Sequence, residues 1–456
     1  MKRLLILFLA VLQITTAQTV DQKMKSSEIL ELTLDAAIDK ALKNNWDIKY
    51  SEKEMQKAEE QINEAYASAF PRIDFAGRYT RNIKLPVLFI GPNTAFNNTD
   101  QTQTFEIGAK NNFDASVSIS QVIYSQKVNT AIQIADEYAE MSKEGNAYAK
   151  QDIILAVKKA FYTVLLMEQL VEVTGKNYEV AKANYENVSA MFKQGVASEY
   201  DNLRAEVQLA NTTPALTQTK NNLAMAKNLI KNITAIDVNQ EISLKGKFSY
   251  EELPQSTIDE MSITAVYNHP AVKQLAIQAS LLDKNVTIEK SEYYPVLSAF
   301  GQYAFQSQDN TFQFKNYNWA KTFMVGVNLQ YTLFDGFRRG ARIEQAIIDK
   351  EKVEITKNKL IDGLKIQVLQ AKLNMEEAKK RIKAQEKNLE QAEKTLKIAQ
   401  SRFKNGVGTQ LELIDSQAAL AFANTNYAQA VYDYLIAKAE WENVVSLNIV
   451  NESKQN

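Results

Sequence analysis

Two hydrophobic periodicities alternate along the chain, and each predicts a different element. Stepping back from Phe403 by four and three residues meets Ala399, Leu396, Ala392, Leu389, Gln385, Ile382, Ala378, Met375, Ala371, Val368 and Leu364. All but Gln385 are apolar, a sustained heptad pattern. The same steps from Phe192 meet Val188, Tyr185, Ala181, Tyr178, Thr174, Val171, Met167, Val164, Ala160, Val157 and Ile153. Lys, Glu, Gln and Asn fill the positions between, so the other faces are wet. From about Gly340 to Lys404 the pattern predicts a helix of roughly 65 residues, roughly 95 Å at 1.5 Å per residue. Returning helices follow over about 198–235 and about Thr409–Ile449, and another helix, over about 257–292, opens the second half. Laid end to end, the first return and that opening helix match one long helix in length, which predicts a helical column.

The second periodicity is two. In RIDFAGRYT, Ile73, Phe75, Gly77 and Tyr79 oppose Asp74, Ala76, Arg78 and Thr80. Phe113, Ala115, Val117 and Ile119 alternate with Asp114, Ser116, Ser118 and Ser120. Two further runs, Leu297 to Phe305 and Phe323 to Tyr331, set Ala299, Gly301, Tyr303, Val325, Val327 and Leu329 against Ser298, Gln302, Gln306, Thr322, Asn328 and Gln330. Runs of about 9–11 residues fit tilted transmembrane β-strands with an aromatic-rich lipid face. A half-buried soluble sheet gives the same alternation. Four strands cannot close a barrel, and open edges are not tolerated in hydrocarbon. Two chains would give a narrow barrel filled by its own side chains, so three is the smallest number that leaves a conduit.

The chain is an internal repeat. NNWDI at Asn44 aligns with NHPAV at Asn268, and FPRIDFAGRY at Phe70 with YPVLSAFGQY at Tyr294. QVIYSQ at Gln121 aligns with YTLFDG at Tyr331, and FKQGVAS at Phe192 with FKNGVGT at Phe403. The offset shortens between residues 80 and 120, so the first copy carries a longer loop there. Each copy reads helix, strand, loop, strand, very long helix, Gly turn, returning helix. The expected division is 1–17 signal peptide, 18–245 first repeat, 246–450 second repeat and 451–456 polar tail. The signal peptide rests on Lys2 and Arg3 before the apolar run Leu4–Leu12, with Thr15, Thr16 and Ala17 before Gln18.

Composition narrows the classes. With no Cys and one His, no disulfide, lipid-acceptor Cys, Cys-His pair or zinc site can be written. No cofactor and no enzyme activity are expected, and a net charge of −1 points to no nucleic-acid partner. His269 precedes Pro270 at the repeat position of Asn45, which predicts a capping or surface role. No downstream apolar run is long enough for a membrane-spanning helix.

The strand starts Phe70-Pro71 and Tyr294-Pro295, the junction YTLFDGFRRGARIEQA and the two Gly-Val turns resemble TolC-like outer-membrane efflux proteins over nearly all of the mature chain. The first copy departs at its junction, QVIYSQKVNT, which lacks Asp-Gly. The resemblance implies a mainly α protein with transmembrane β: a homotrimeric 12-stranded β-barrel in the outer membrane of a Gram-negative bacterium, continued by an α-helical coiled-coil barrel across the periplasm. It implies a passive conduit of a tripartite efflux or secretion system, docked to a periplasmic adaptor and an inner-membrane pump of RND, ABC or MFS type. A conduit of type I protein secretion and a soluble periplasmic coiled-coil scaffold stay open as alternatives.

The same resemblance places Gly195, Val196, Ala197, Gly406, Val407 and Gly408 at the periplasmic tips, in contact with the adaptor. The plainer role for the two turn glycines is ending a helix, where glycine supplies the left-handed backbone. Glu412 and Asp415, three apart on one helix face, fall where the family has inward acidic rings, and Asp201 lies near the first tip. Three copies would ring a narrow opening with carboxylates and favour cations. The bland reading is a solvated acidic face. Where the family often has a basic residue, this chain has Gly408. Arg338, Arg339 and Arg342 are expected near lipid headgroups at the strand-helix boundary, and the loops Arg81–Asn111 and Gln306–Lys321 at the outer rim.

Overall fold

The computed structural model describes residues 29–254, 265–313, 315 and 317–445. The expected signal peptide, the polar tail 451–456 and the start of the helix predicted from 257 lie outside them. The chain forms two compact units, one of residues 44–155, 251–377 and 437–456, the other of 1–43, 156–250 and 378–436. Its helices are α1 (Leu34–Asn44), α2 (Trp46–Ala67), α3 (Gln126–Lys193), α4 (Glu199–Ile233), α5 (Pro270–Ser291), α6 (Arg338–Lys404) and α7 (Gln410–Val444). The two heptad runs are single unbroken helices of 68 and 67 residues, as their period requires. Along the α6 seam Leu364, Val368, Ala371, Met375, Ala378 and Ile382 are buried, while Leu389, Ala392 and Leu396 are only half-buried.

The first unit holds a four-stranded antiparallel sheet, in order β2 (Arg72–Arg81), β5 (Asn111–Tyr124), β7 (Val296–Asp309) and β8 (Ala320–Gln330). The two central strands have 14 residues each, longer than predicted, and β8 stops before Tyr331. The register aligns the alternation across all four strands. Ile73, Ile119, Gly301 and Val325 form one row, and Phe75, Val117, Tyr303 and Phe323 the next. The opposite face carries Asp74, Ser118, Gln302 and Met324, then Ala76, Ser116, Ala304 and Thr322. Among the described residues the apolar face is left uncovered: Phe75 is 75% exposed, Phe323 70% and Val325 71%. Phe300 breaks the pattern on the polar face. Its ring lies over Gly326, where a Cβ would come within 2.8 Å of it.

The loop predicted over Arg81–Asn111 contains a hairpin, β3 (Val87–Ile90) with β4 (Gln103–Glu106). At the loop end of the sheet Tyr79 stacks on Phe113 with ring centroids 4.7 Å apart, and Phe312 packs edge-on to Tyr79 at 5.9 Å.

Two helices of this unit begin with repeat-related caps. Asn45 Oδ1 accepts from the backbone N–H groups of Asp47 and Ile48, at 2.8 and 3.3 Å. At the same place in the second copy His269 Nδ1 accepts from Ala271 N–H at 3.2 Å. His269 therefore caps, as predicted, but it is buried rather than on the surface, and burial lowers its pKa below the ordinary histidine value.

The strand-to-helix junction gives its three arginines different surroundings. Gly336 and Phe337 both take positive φ, 69° and 64°. This turns Asp335 back so that Oδ2 accepts from Arg339 N–H at 3.0 Å and from Arg339 Nε at 3.1 Å. Arg339 is buried, donates to the Glu292 carbonyl and covers the Tyr293 ring at 4.5 Å. Arg342 pairs with Glu292 at 3.1 Å, and only Arg338 of the three is left exposed without an ion pair among the described residues. The Asp335 carboxylate, the Glu292 carbonyl and the Tyr293 ring together hold Arg339.

The second unit joins β1 (Leu30–Leu32) and β6 (Ile242–Leu244) in a parallel pair that the sequence did not announce. Its helical core holds Val157, Phe161, Val164, Ile230, Val431 and Tyr434. Gly246 lies against Phe161, whose Cε1 would be 2.9 Å from a Cβ there. Polar ties cross the helices: Arg381 to Asp433 at 2.6 Å, Lys227 to Glu168 at 3.0 Å and Thr163 to Tyr432 at 3.1 Å. Both Gly turns belong to this unit.

Candidate docking tips and gate

The two long helices end in the same hydrogen-bond pattern. At the first tip Gly195 N–H donates to Phe192 O at 2.9 Å and Val196 N–H to Met191 O at 2.8 Å. At the second, Gly406 N–H donates to Phe403 O and Val407 N–H to Arg402 O, both at 3.0 Å. These five-to-two and six-to-one bonds are the Schellman closure, which needs a left-handed residue just past the helix. Gly195 and Gly406 supply it, with φ of 73° and 72°. The closure satisfies the last carbonyls and leaves the next side chain outside. Val196 and Val407 are 69% and 68% exposed, so each tip presents an uncovered valine.

The third turn residue separates the tips. A Cβ on Gly408 would lie 2.9 Å from Phe403 N and 3.0 Å from the Arg402 carbonyl carbon, so only glycine fits that backbone. The first tip has Ala197 there and is looser: Ala197 N–H reaches Met191 O at 3.3 Å, against 3.0 Å for Gly408 N–H to Arg402 O.

Each returning helix starts with a hydroxyl cap. Ser198 Oγ accepts from Asp201 N–H at 3.1 Å and donates to Asp201 Oδ2 at 2.6 Å. Thr409 Oγ1 accepts from Glu412 N–H at 3.2 Å. Asp201 and Glu412 are thus equivalent first-turn acids, favourable beside helix N-termini. Glu412 also pairs with Arg402 Nε at 3.4 Å across the turn, and Arg402 Nη2 donates to Val407 O at 3.3 Å. Asp415 is exposed and makes no ion pair among the described residues.

Within one chain Asp201 is not brought to Glu412 or Asp415 by any hydrogen bond or ion pair among the described residues. Two buried atoms beside these acids, Asn202 Oδ1 and Gln410 Nε2, have no hydrogen-bond partner there. Sequence reasoning passed over Ser198, Thr409 and Arg402. The first two were readable as Ser-x-x-Asp and Thr-x-x-Glu before a helix. Arg402 was not, because its partner lies across a turn. Among the described residues no group of His, Asp or Glu is arranged to hold a metal ion.

Residues 37–235 and 264–444 match the model of the family described as outer membrane efflux protein. The chain is 21% identical over 336 residues to the outer membrane protein TolC of Vibrio cholerae, covering 71% of this chain and 74% of that one. Its fold is similar to the CmeC outer membrane channel of Campylobacter jejuni, with a TM-score of 0.73 at 18% identity over 92% of this chain and 89% of that one. It is also similar to the open state of the MtrE outer membrane channel of Neisseria gonorrhoeae, with a TM-score of 0.70 at 14% identity over 90% and 88%. The chain belongs to the outer membrane efflux protein family, whose members are outer-membrane channels of Gram-negative bacteria with a large periplasmic part and not enzymes.

Proposed function

We propose that three copies of this chain form a passive conduit of a tripartite efflux system, gated at its helical tips. The observation that carries this is the sheet: four antiparallel strands, one apolar and one polar face, with the apolar face uncovered and the β2 and β8 edges unpaired among the described residues. Unpaired edges are not viable in hydrocarbon, so β8 of one copy pairs with β2 of the next. Inside the chain β5 already pairs with β7, the same junction between the second strand of one repeat and the first strand of the other. Three chains then close twelve strands, with the apolar rows on lipid and the Ser, Gln and Thr rows on the lumen. The repeat boundaries 18–245 and 246–450 follow from this reading, and residues 1–17 are removed on export. Helices of 68 and 67 residues, about 100 Å each at 1.5 Å per residue, continue the conduit into the periplasm.

In this reading Gly195, Val196, Ala197, Gly406, Val407 and Gly408 meet a periplasmic adaptor, and the exposed valines are the apolar contacts. The adaptor links the conduit to an inner-membrane pump. Asp201, Glu412 and Asp415 form the gate, with Asp415 as the acid left free to face ions and Glu412 held at the helix start by Arg402. The test is the conductance of purified protein in a planar bilayer. Steady ohmic, cation-selective steps are expected, and protein that inserts without conducting overturns the reading.

A further inference from the structure

We propose that the β3–β4 hairpin is a clasp that packs on the neighbouring copy of this chain across the β8–β2 seam. The inference rests on the trimer reading above. The hairpin occupies the stretch by which the first copy exceeds the second, so barrel closure does not require it. It has apolar side chains on both faces. Leu88 pairs with Phe105 on one, at 48% and 44% exposure, and Phe89 stands on the other at 68%. A two-stranded hairpin is marginal in water by itself, and this one has no third strand among the described residues.

It is nevertheless held in one shape. Asn97 is buried, and its Nδ2 donates to the carbonyls of Ile90, Gly91 and Gln101 at 2.8–3.1 Å. Its Oδ1 accepts from Thr99 N–H and Oγ1 at 3.1 and 2.6 Å. At the base, Asn82 N–H donates to Lys110 O and Ile107 N–H to Pro86 O. A preorganised apolar element loses little freedom on docking.

Its position selects the occupant. The hairpin grows from β2, the open edge strand, and trimer closure sets the start of the neighbour's β8 beside it. Charge agrees: Glu106 is exposed on the hairpin, and Lys321 is exposed at the loop end of β8.

The test uses full-length protein, which has no cysteine of its own. Glu106→Cys with Lys321→Cys is treated with a short bismaleimide, and a second variant replaces 83–109 by the second copy's loop 310–319. The proposal expects chain-to-chain products on denaturing gels from the double variant and from neither single one. It also expects trimers of the loop replacement to dissociate at a lower temperature. Cross-links confined to one chain overturn it, as does absence of products while both cysteines react with a soluble maleimide. If the loop replacement fails to fold, the cross-link decides alone. A particle of one chain before any substitution defeats the trimer reading instead, so the two failures are distinct.

Discussion

Swapping the third turn residue between the tips tests the local account most sharply. Gly408→Ala adds a Cβ 2.9 Å from Phe403 N and 3.0 Å from the Arg402 carbonyl carbon. Backbone atoms cannot rotate away as a side-chain end can, so the turn must open. Overpacking of this kind costs about 1–3 kcal/mol. The first contact to lengthen is Gly408 N–H to Arg402 O, 3.0 Å in the native turn, with the neighbouring Val407 N–H to the same oxygen. At 1.4 kcal/mol per tenfold, exchange of the amides over 406–408 should accelerate roughly five- to hundredfold. The reverse change, Ala197→Gly, removes a methyl from a turn that already tolerates it and should alter exchange at 195–197 only slightly. Hydrogen exchange read by mass spectrometry on tip peptides is the assay, because global unfolding of so long a chain is not two-state. Equal protection in Gly408→Ala and native protein would refute the tight-turn argument.

Other expectations follow from single contacts. His269 has a lowered pKa through burial, so its neutral form caps α5; stability is full above the ordinary histidine value of about 6.5 and falls as pH drops through the depressed one. His269→Asn, which copies Asn45, should flatten that dependence below about pH 6.5 in thermal melts while the cap, about 1 kcal/mol, is kept. Asp335→Ala leaves Arg339 buried without its carboxylate, and loss of one partner of a buried pair costs about 3–5 kcal/mol; a lower melting temperature of the particle should report it, and an unchanged one would contradict the junction account. Glu412→Gln with Asp415→Asn should weaken cation selectivity and polyvalent-cation block in bilayers; unchanged reversal potentials would place the gate elsewhere. Bulky residues at Gly195 and Gly406 are strained at φ near +70°, by about 1–2 kcal/mol each, and should abolish export while trimers still assemble. Normal export by both variants would remove the tips from docking.

Much of the fold was legible because its elements are long and strictly periodic. The heptads gave α6 nearly to the residue and α3 its C-terminal end, and the alternation assigned the faces of all four strands of the sheet. What escaped depends on pairing at a distance. The parallel contact of Leu30–Leu32 with Ile242–Leu244 joins two three-residue strands that carry no period of their own. The β3–β4 hairpin was hidden because its turn is built by Asn97 rather than by Asn-Gly or Asp-Gly. The burial of Arg339 was not legible because it comes from Tyr293 and Glu292, 46 and 47 residues earlier. At the tips the left-handed turns at Gly195 and Gly406 were legible and their φ values agree, but the demand of space for Gly408 was not.

The measurement that bears most directly on the central claim is the protein mass, corrected for detergent, of the particle extracted from outer membranes. The account predicts three chains, since only then do β2 and β8 lose their open edges and enclose a lumen. A water-soluble monomer would contradict it: the apolar face of β2, β5, β7 and β8 would then need another cover, and the conduit, the gate and the docking tips would fall together.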